Sequence, residues 1–358
     1  VLIENGIIKH IGKLSSEQLE NSEIYDASGY YMIPGFIDCH THGFNGYRAE
    51  DSSDALRKMA VQYALRGITG FYATVGPETN QEYFRIFDEY RKAFGSQYQG
   101  ARFLGLHVEG PFLSLEKKGA MDERKLRRIT QGDVQELICK GYDVIGMITI
   151  APELEGACNA IEELTKAGIT VSIGHSAATY GKAAEAIAAG ATQATHMYNA
   201  MRPYDHRETG IIGAAILSRR VYCELIMDCV HVSMEAMRIL VSAKRTDRIM
   251  AVSDGDVMCG SNCPDKDMGD YIIKDGAMYL KDGLLCGSTR DLSDHFRTII
   301  NKLGMGMPEA VKMTSTNCAE HMGIKKGKLE RGFDADFNLV DGSLKVHKTF
   351  VAGQLINA

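Results

Sequence analysis

The stretch I-P-G-F-I-D-C-H-T-H-G, residues 33–43, ends an apolar run with two histidines, His40 and His42, one residue apart. In an extended segment residues i and i+2 point to the same face, so both imidazoles can converge on one point. Comparable polar residues recur where later apolar runs end. H-V-E-G-P-F brings His107 and Glu109, G-H-S brings His175, and T-H-M-Y-N-A-M brings His196. M-D-C-V-H brings Asp228 and His231, and S-D-G brings Asp254. Taken singly, such a histidine is most simply a satisfied or solvent-facing residue, and such an aspartate a helix cap. Repeated at the same end of successive runs, they describe a convergent metal or catalytic site. Neutral imidazole and carboxylate suit Zn, Fe or Mn, and an incomplete protein shell leaves a position for water. A bound ion of this kind brings the pKa of its water toward about 7. A carboxylate beside that water can accept its proton and deliver it to a leaving group. Asp254, between the small residues Ser253 and Gly255, is the natural candidate. The chemistry expected is metal-assisted hydrolysis.

Positioning such residues requires strands that all end on one face. Apolar runs at 33–38, 68–74, 102–108, 144–150, 169–173, 192–196, 223–227 and 249–253 read as strands. Helical periodicity lies between most of them, as at 52–66 and 179–189, which argues for βα units and a parallel sheet. Eight units in about 250 residues suit a closed (β/α)8 barrel, whose chemistry sits at the C-terminal ends of its strands. A doubly wound fold wants a glycine-rich phosphate loop after its first strand, and none is there. A hairpin at 271–283 with two Lys-Asp-Gly turns and then two helices complete the barrel region, 33–326. Both termini, 1–32 and 327–358, alternate short apolar stretches with turn signals such as Asn5-Gly6 and Asp341-Gly342. They are expected to pair into one small β-sandwich domain.

The bulk numbers are compatible with a soluble enzyme and exclude little else. The 358 residues are 45% apolar and 24% charged with net charge -6, and no long basic run suggests nucleic acid or an anionic membrane as partner. Nine cysteines scattered without repeated spacing point to reduced thiols in a cytoplasm. Cys259 and Cys263 lack the second close pair that a structural zinc site wants. No stretch approaches membrane-span length and no signal peptide is visible. The sequence starts at Val1, so a preceding segment is expected.

Across essentially its whole length the chain resembles the N-acetylglucosamine-6-phosphate deacetylases of the amidohydrolase superfamily. The resemblance rests on P-G-F-I-D-x-H-x-H-G, H-V-E-G-P-F, K-K-G-A, G-H-S, T-H-M-Y-N-A-M, H-R-E-x-G, the D-x-x-H segment, S-D-G and C-G-S-T. The first motif marks the superfamily; the H-x-E-G-P-F and T-H-x-x-N-A-M pair is more specific to the deacetylases. The resemblance implies that Glu109, His175 and His196 bind the principal divalent metal and that Asp254 is the general base and acid. It carries substrate contacts onto Ala120, Met121, Asn199, Ala200, Arg207, Asp228, His231, Leu285, Cys286 and Gly287, with Arg207 and His231 facing a phosphate. Some members lack the paired histidines and use one metal; here His40 and His42 are expected to hold a second, bridged by Glu109. A homodimer is expected, with the arginine able to reach the neighbour's site. Met121 stands where many members have a histidine that polarises the substrate carbonyl. Cys229, Asp256 and Arg290 are smaller departures. The substrate expected is N-acetylglucosamine 6-phosphate. The alternatives are its galactosamine epimer, another amidohydrolase substrate, or an inactive phosphosugar-binding protein. Cyclic-amide relatives often carry a bridging lysine on the fourth strand, and I-T-I-A-P-E has none.

Overall fold

The computed structural model describes residues 1–95, 98–261 and 263–357. Its centre is an eight-stranded parallel sheet whose strands pair in chain order. These are β1 (Phe36–Thr41), β2 (Ile68–Val75), β3 (Arg102–Glu109), β4 (Ile145–Ile150), β5 (Thr170–Ile173), β6 (Gln193–Ala194), β7 (Tyr222–Ile226) and β8 (Ile249–Val252). The sheet closes because the chain leaving β8 lies along β1. Asp254 N donates to His40 O at 3.0 Å, and Thr41 and Gly255 form a parallel bridge. This is a (β/α)8 barrel with additional antiparallel sheets.

The strands read as near-continuous apolar runs because both faces are covered. The outward side packs under helices, with Phe71, Phe87, Tyr90 and Phe103 in the main core. The inward side is filled by Ile37, Cys39, Tyr72, Met147, Ile226, Met250 and Val252. Helices α1 (Ser53–Leu65), α2 (Asn80–Phe94), α3 (Gln131–Gly141) and α4 (Ala157–Lys166) are followed by α5 (Tyr180–Ala189), α6 (Gly210–Leu217) and α7 (Met234–Lys244). The hydroxyls of Ser52, Thr79, Thr130, Thr179 and Ser233 accept a backbone N–H in the first turn of α1, α2, α3, α5 and α7, which fixes where those helices start. After α8 (Leu292–Asn301), a run from Met307–Val311 passes through a π-helical turn, Lys312–Thr316, into Asn317–His321. Cys318 and Ala319 close the barrel's floor there, opposite the strand ends that carry the polar residues.

Two expected strands need correction. The run at 33–38 is not one strand: Tyr31–Pro34 pairs antiparallel with Phe337–Val340, and β1 begins only at Phe36. Gly35 makes the change of sheet possible, since a Cβ there would collide with the Thr69 side chain. The run at 192–196 is extended only over Gln193–Ala194, because His196 turns into left-handed backbone at φ 27°. The hairpin at 271–283 is larger than expected. Tyr271–Lys274 and Ala277–Leu280 are flanked by Lys266–Asp267 and Leu285–Ser288 in a four-stranded sheet.

At the termini, Tyr31–Pro34, Phe337–Val340, Val346–Val351 and Gln354–Leu355 form one sheet, and Leu2–Glu4 pairs with Ile7–His10. Ile8 from the hairpin packs with Phe337, Leu339 and Phe350 from the sheet. Among the described residues no helix is long and apolar enough to cross a membrane.

Candidate metal centre

The barrel delivers its polar residues to one mouth. His40 lies in β1, with His42 just beyond its end, and Glu109 is the last residue of β3. His175, His196 and Asp254 follow the ends of β5, β6 and β8, and each has positive φ, at 45°, 27° and 45°. Left-handed backbone is uncommon for residues with a Cβ and costs roughly 1–3 kcal/mol each. Three such residues around one point indicate a geometry over-determined by its surroundings.

Two groups of potential ligand atoms share the Glu109 carboxylate. Its Oε1 lies 3.1 Å from His175 Nε2 and 3.0 Å from His196 Nε2, and the two nitrogens are 3.1 Å apart. Its Oε2 lies 3.0 Å from His42 Nε2 and 3.4 Å from His40 Nε2. Asp254 Oδ1 completes the second group, 3.3 Å from His40 Nε2 and 3.6 Å from His42 Nε2. A tetrahedral ion with bonds of about 2.0–2.1 Å has ligand-to-ligand edges of about 3.3 Å. The first triangle is close to that size.

Hydrogen-bond bookkeeping points the same way. His175 Nδ1 faces Lys117 O at 2.9 Å, and a carbonyl only accepts, so the ring's proton sits on Nδ1. The neutral ring then turns a lone pair from Nε2 toward a carboxylate oxygen, which is repulsive unless a cation lies between. His40 repeats this arrangement, with Nδ1 on Glu224 Oε2 at 2.8 Å and a buried Nε2 that lacks any hydrogen-bond partner. Glu109 Oε2 is likewise buried and, despite His42 Nε2 at 3.0 Å, accepts no well-directed hydrogen bond among the described residues. These residues fit a divalent ion in each group.

His107, His40 and Glu224 form a third group of closely spaced ligand atoms, but both His107 nitrogens face threonine hydroxyls, of Thr149 and Thr74. His107 Nε2 meets Thr149 Oγ1 at 2.8 Å, and its ring stands edge-on to His40 at 4.5 Å between centroids. Burial holds it well below the ordinary histidine range. Sequence reasoning missed Glu224, a carboxylate in the middle of β7 with no exposed surface. A lone acid inside the apolar run Y-C-E-L-I was the available signal.

The residues expected to touch substrate fall into three sets. The 119–121 loop and the 199–200 turn meet beside His175: a Cβ on Gly119 would lie 3.3 Å from His175 Cε1 and 3.7 Å from Ala200 Cβ. Ala120 is exposed there, and Met121 Sδ packs beside Gly76. Asn199 donates weakly from its amide to His196 O and Met197 O, at 3.4 and 3.3 Å, and Ser176 N donates to Ala200 O at 3.0 Å. Leu285, Cys286 and Gly287 run beside Asp254, whose carbonyl accepts from Ser288 N at 3.0 Å. Burial, then the Asp256 and Asp254 carboxylates, push the Cys286 thiol up to about 12.

The third set is less convergent. His231 Nδ1 lies 2.6 Å from Asp228 Oδ2, while Asp228 Oδ1 accepts from Val230 N and His231 N, both at 2.8 Å. Burial would raise Asp228, but the His231 hydrogen bond dominates together with these amides and holds it at about 2. Asp228 is therefore buried and occupied in orienting His231. Arg207 is on an exposed loop, and among the described residues its guanidinium has no carboxylate within ion-pair distance. Among the described residues its side chain makes no hydrogen bond or ion pair with the other site residues.

The three smaller departures have local partners. Asp256 Oδ2 pairs with Arg48 Nη2 at 3.1 Å, and Arg290 Nη2 donates to Asp275 O at 3.4 Å. Cys229 Sγ accepts from Lys302 Nζ at 3.6 Å, and its φ of 68° is one that a residue with a Cβ seldom adopts.

The amidohydrolase family model matches residues 31–356. The N-acetylglucosamine-6-phosphate deacetylase of Lysinibacillus sphaericus is 34% identical over 361 residues, covering 98% of this chain and 90% of its own. The crystal structure of N-acetylglucosamine-6-phosphate deacetylase from Pasteurella multocida superposes with a TM-score of 0.91 at 30% identity, over 99% of this chain and 93% of that one. A mutant of the Mycobacterium smegmatis deacetylase in complex with N-acetyl-D-glucosamine-6-phosphate superposes with a TM-score of 0.85 at 29% identity, over 92% and 87% of the two chains. The chain belongs to the amidohydrolase family and, within it, to the N-acetylglucosamine-6-phosphate deacetylases.

Proposed function

We propose that this chain hydrolyses the N-acetyl group of N-acetylglucosamine 6-phosphate, giving glucosamine 6-phosphate and acetate. The observation that carries the proposal is one carboxylate, Glu109, standing between two histidine groups with Asp254 Oδ1 at the edge of the second. Relatives of that activity along nearly the whole chain support the choice of substrate. Glu109, His175 and His196 hold one divalent ion and His40 and His42 a second, with Zn, Fe or Mn all suited to the donor set. When bound, such ions supply a water acidified to near neutrality and polarise the amide carbonyl. Asp254 takes a proton from the attacking water on its carboxylate and returns it to the amide nitrogen as the C–N bond breaks. The site wall beside it is Leu285, Cys286 and Gly287. Met121 offers the substrate carbonyl no hydrogen-bond donor.

Phosphate recognition falls to His231, held by Asp228, and to Arg207, with backbone groups of Asn199 and Ala200 along the sugar. A guanidinium suits phosphate through paired, charge-assisted bonds. An exposed Arg207 without an ion-pair partner among the described residues suits delivery into the site of a second copy in a homodimer. Nine free cysteines suit a reducing cytoplasm. Segments 1–32 and 327–358 act as a small terminal domain beside the barrel.

The test is acetate release from N-acetylglucosamine 6-phosphate, N-acetylgalactosamine 6-phosphate and both unphosphorylated sugars, with metal analysis of the same sample. Highest kcat/KM on the glucosamine phosphate is expected. Preference for the galacto epimer would replace the substrate and keep the mechanism; no acetate from any of the four would refute the activity.

A further inference from the structure

We propose that Glu224 is a positioning residue that ties the two ligand groups together and sets how tightly the His40–His42 ion is held. The inference rests on the two-ion reading above. Glu224 lies on β7, a strand that contributes none of the proposed ligands, and it has no exposed surface. A single oxygen, Oε2, receives His40 Nδ1 at 2.8 Å and His196 N at 3.0 Å. Its backbone carbonyl accepts from Met197 N at 2.9 Å. Its other carboxylate oxygen accepts from the Gln193 amide. One side chain thus contacts a ligand from each group and spans the seam between β6 and β7.

Each contact has a separate effect. Accepting the Nδ1 proton of His40 fixes that ring's tautomer and aims Nε2 at Glu109 and Asp254. The edge-on His107 ring, 4.5 Å away, limits rotation on another side. Accepting His196 N holds a residue whose φ of 27° needs external restraint. A fully buried carboxylate is tolerated where positive charge lies close. Here an ion held by His40 and His42 would supply that charge across the His40 ring. Carboxylate–histidine pairs of this kind raise ligand basicity, and losing the outer partner typically weakens metal binding about 10–100-fold.

The experiment compares wild type, Glu224→Gln and Gln193→Met, each loaded with Co(II), by ions per chain, the Co(II) absorption spectrum and loss of metal to a chelator. The Glu224→Gln change preserves shape and removes the charge; the Gln193→Met change disturbs the same buried network but leaves the His40 contact intact. Expected are two ions in wild type and in Gln193→Met, and about 10–100-fold easier loss of one ion in Glu224→Gln, with its spectral component, at an unchanged far-UV spectrum. Equal retention of both ions in wild type and Glu224→Gln overturns the inference alone. Equal weakening by Gln193→Met also overturns it, by reducing Glu224 to a packing role. A wild-type chain that takes up fewer than two ions removes the two-ion reading and this inference with it.

Discussion

His321 makes stability depend on pH at the end of the barrel opposite the candidate metal centre. Its ring stacks on Tyr222, with centroids 4.4 Å apart and planes at 29°, and its Nε2 is buried without a partner. It closes the helix Asn317–His321, where the helix dipole favours a positive charge, but burial opposes that charge and pushes the group down to about 4. An unfolded chain returns it to about 6.5. The unfolded state therefore binds the proton first as pH falls. The contribution is complete above about 6.5 and is lost progressively toward the folded value. Linkage gives a loss of about 1.4 kcal/mol at pH 5.5 and about 2.6 kcal/mol at pH 4.5. Partial exposure of the ring makes these upper values. His321→Phe keeps a flat ring on Tyr222 and removes the titration. Urea unfolding of both proteins at pH 7.5, 5.5 and 4.5 isolates the effect, because every other group titrates equally in the pair. The variant should gain on wild type by about 2 kcal/mol between the extremes. A difference that stays constant with pH would refute the reasoning.

Three further outcomes test other parts of the molecule. Asp254→Asn should lower acetate release by about 10²–10⁴-fold while metal analysis still finds the ion at Glu109, His175 and His196; wild-type turnover would remove Asp254 from proton transfer. Gly119→Ala places a Cβ 3.3 Å from His175 Cε1 on backbone at φ 57°. It should cost about 1–2 kcal/mol in thermal unfolding and speed metal loss to a chelator, whereas unchanged metal retention would show that His175 can give way. Lys326 Nζ lies 2.6 Å from Asp336 Oδ2 and 2.7 Å from Asp334 Oδ2, with Asp336 only 2% exposed. Lys326→Met should therefore cost about 3 kcal/mol in urea unfolding, and a loss under about 1 kcal/mol would mean that water reaches the aspartate.

The mouth of the barrel was legible because its residues lie in short local motifs at strand ends, where the change from apolar to polar is abrupt. His40, His42, Glu109, His175, His196 and Asp254 all stand out in this way. The switch at Gly35 was not legible, since Tyr31–Pro34 and β1 are one apolar stretch whose division depends on the distant partners Phe337–Val340 and Ile68–Val75. The early end of β6 follows from the φ of His196, which composition does not encode. Arg207 illustrates the reverse case. A motif singles it out, but among the described residues its guanidinium makes no contact that would explain it.

The closure between β1 and the turn after β8 also orders events in the life of the protein. Thr41 and Gly255, 214 positions apart, meet across the same seam that brings His40 and Asp254 together. On the ribosome, His40 emerges long before Asp254 exists, so the second ligand group is incomplete until nearly the whole barrel has been made. An ion bound at that group would therefore be acquired late in maturation. The Thr41–Gly255 pairing joins the first strand to the last and opposes reopening of the barrel there.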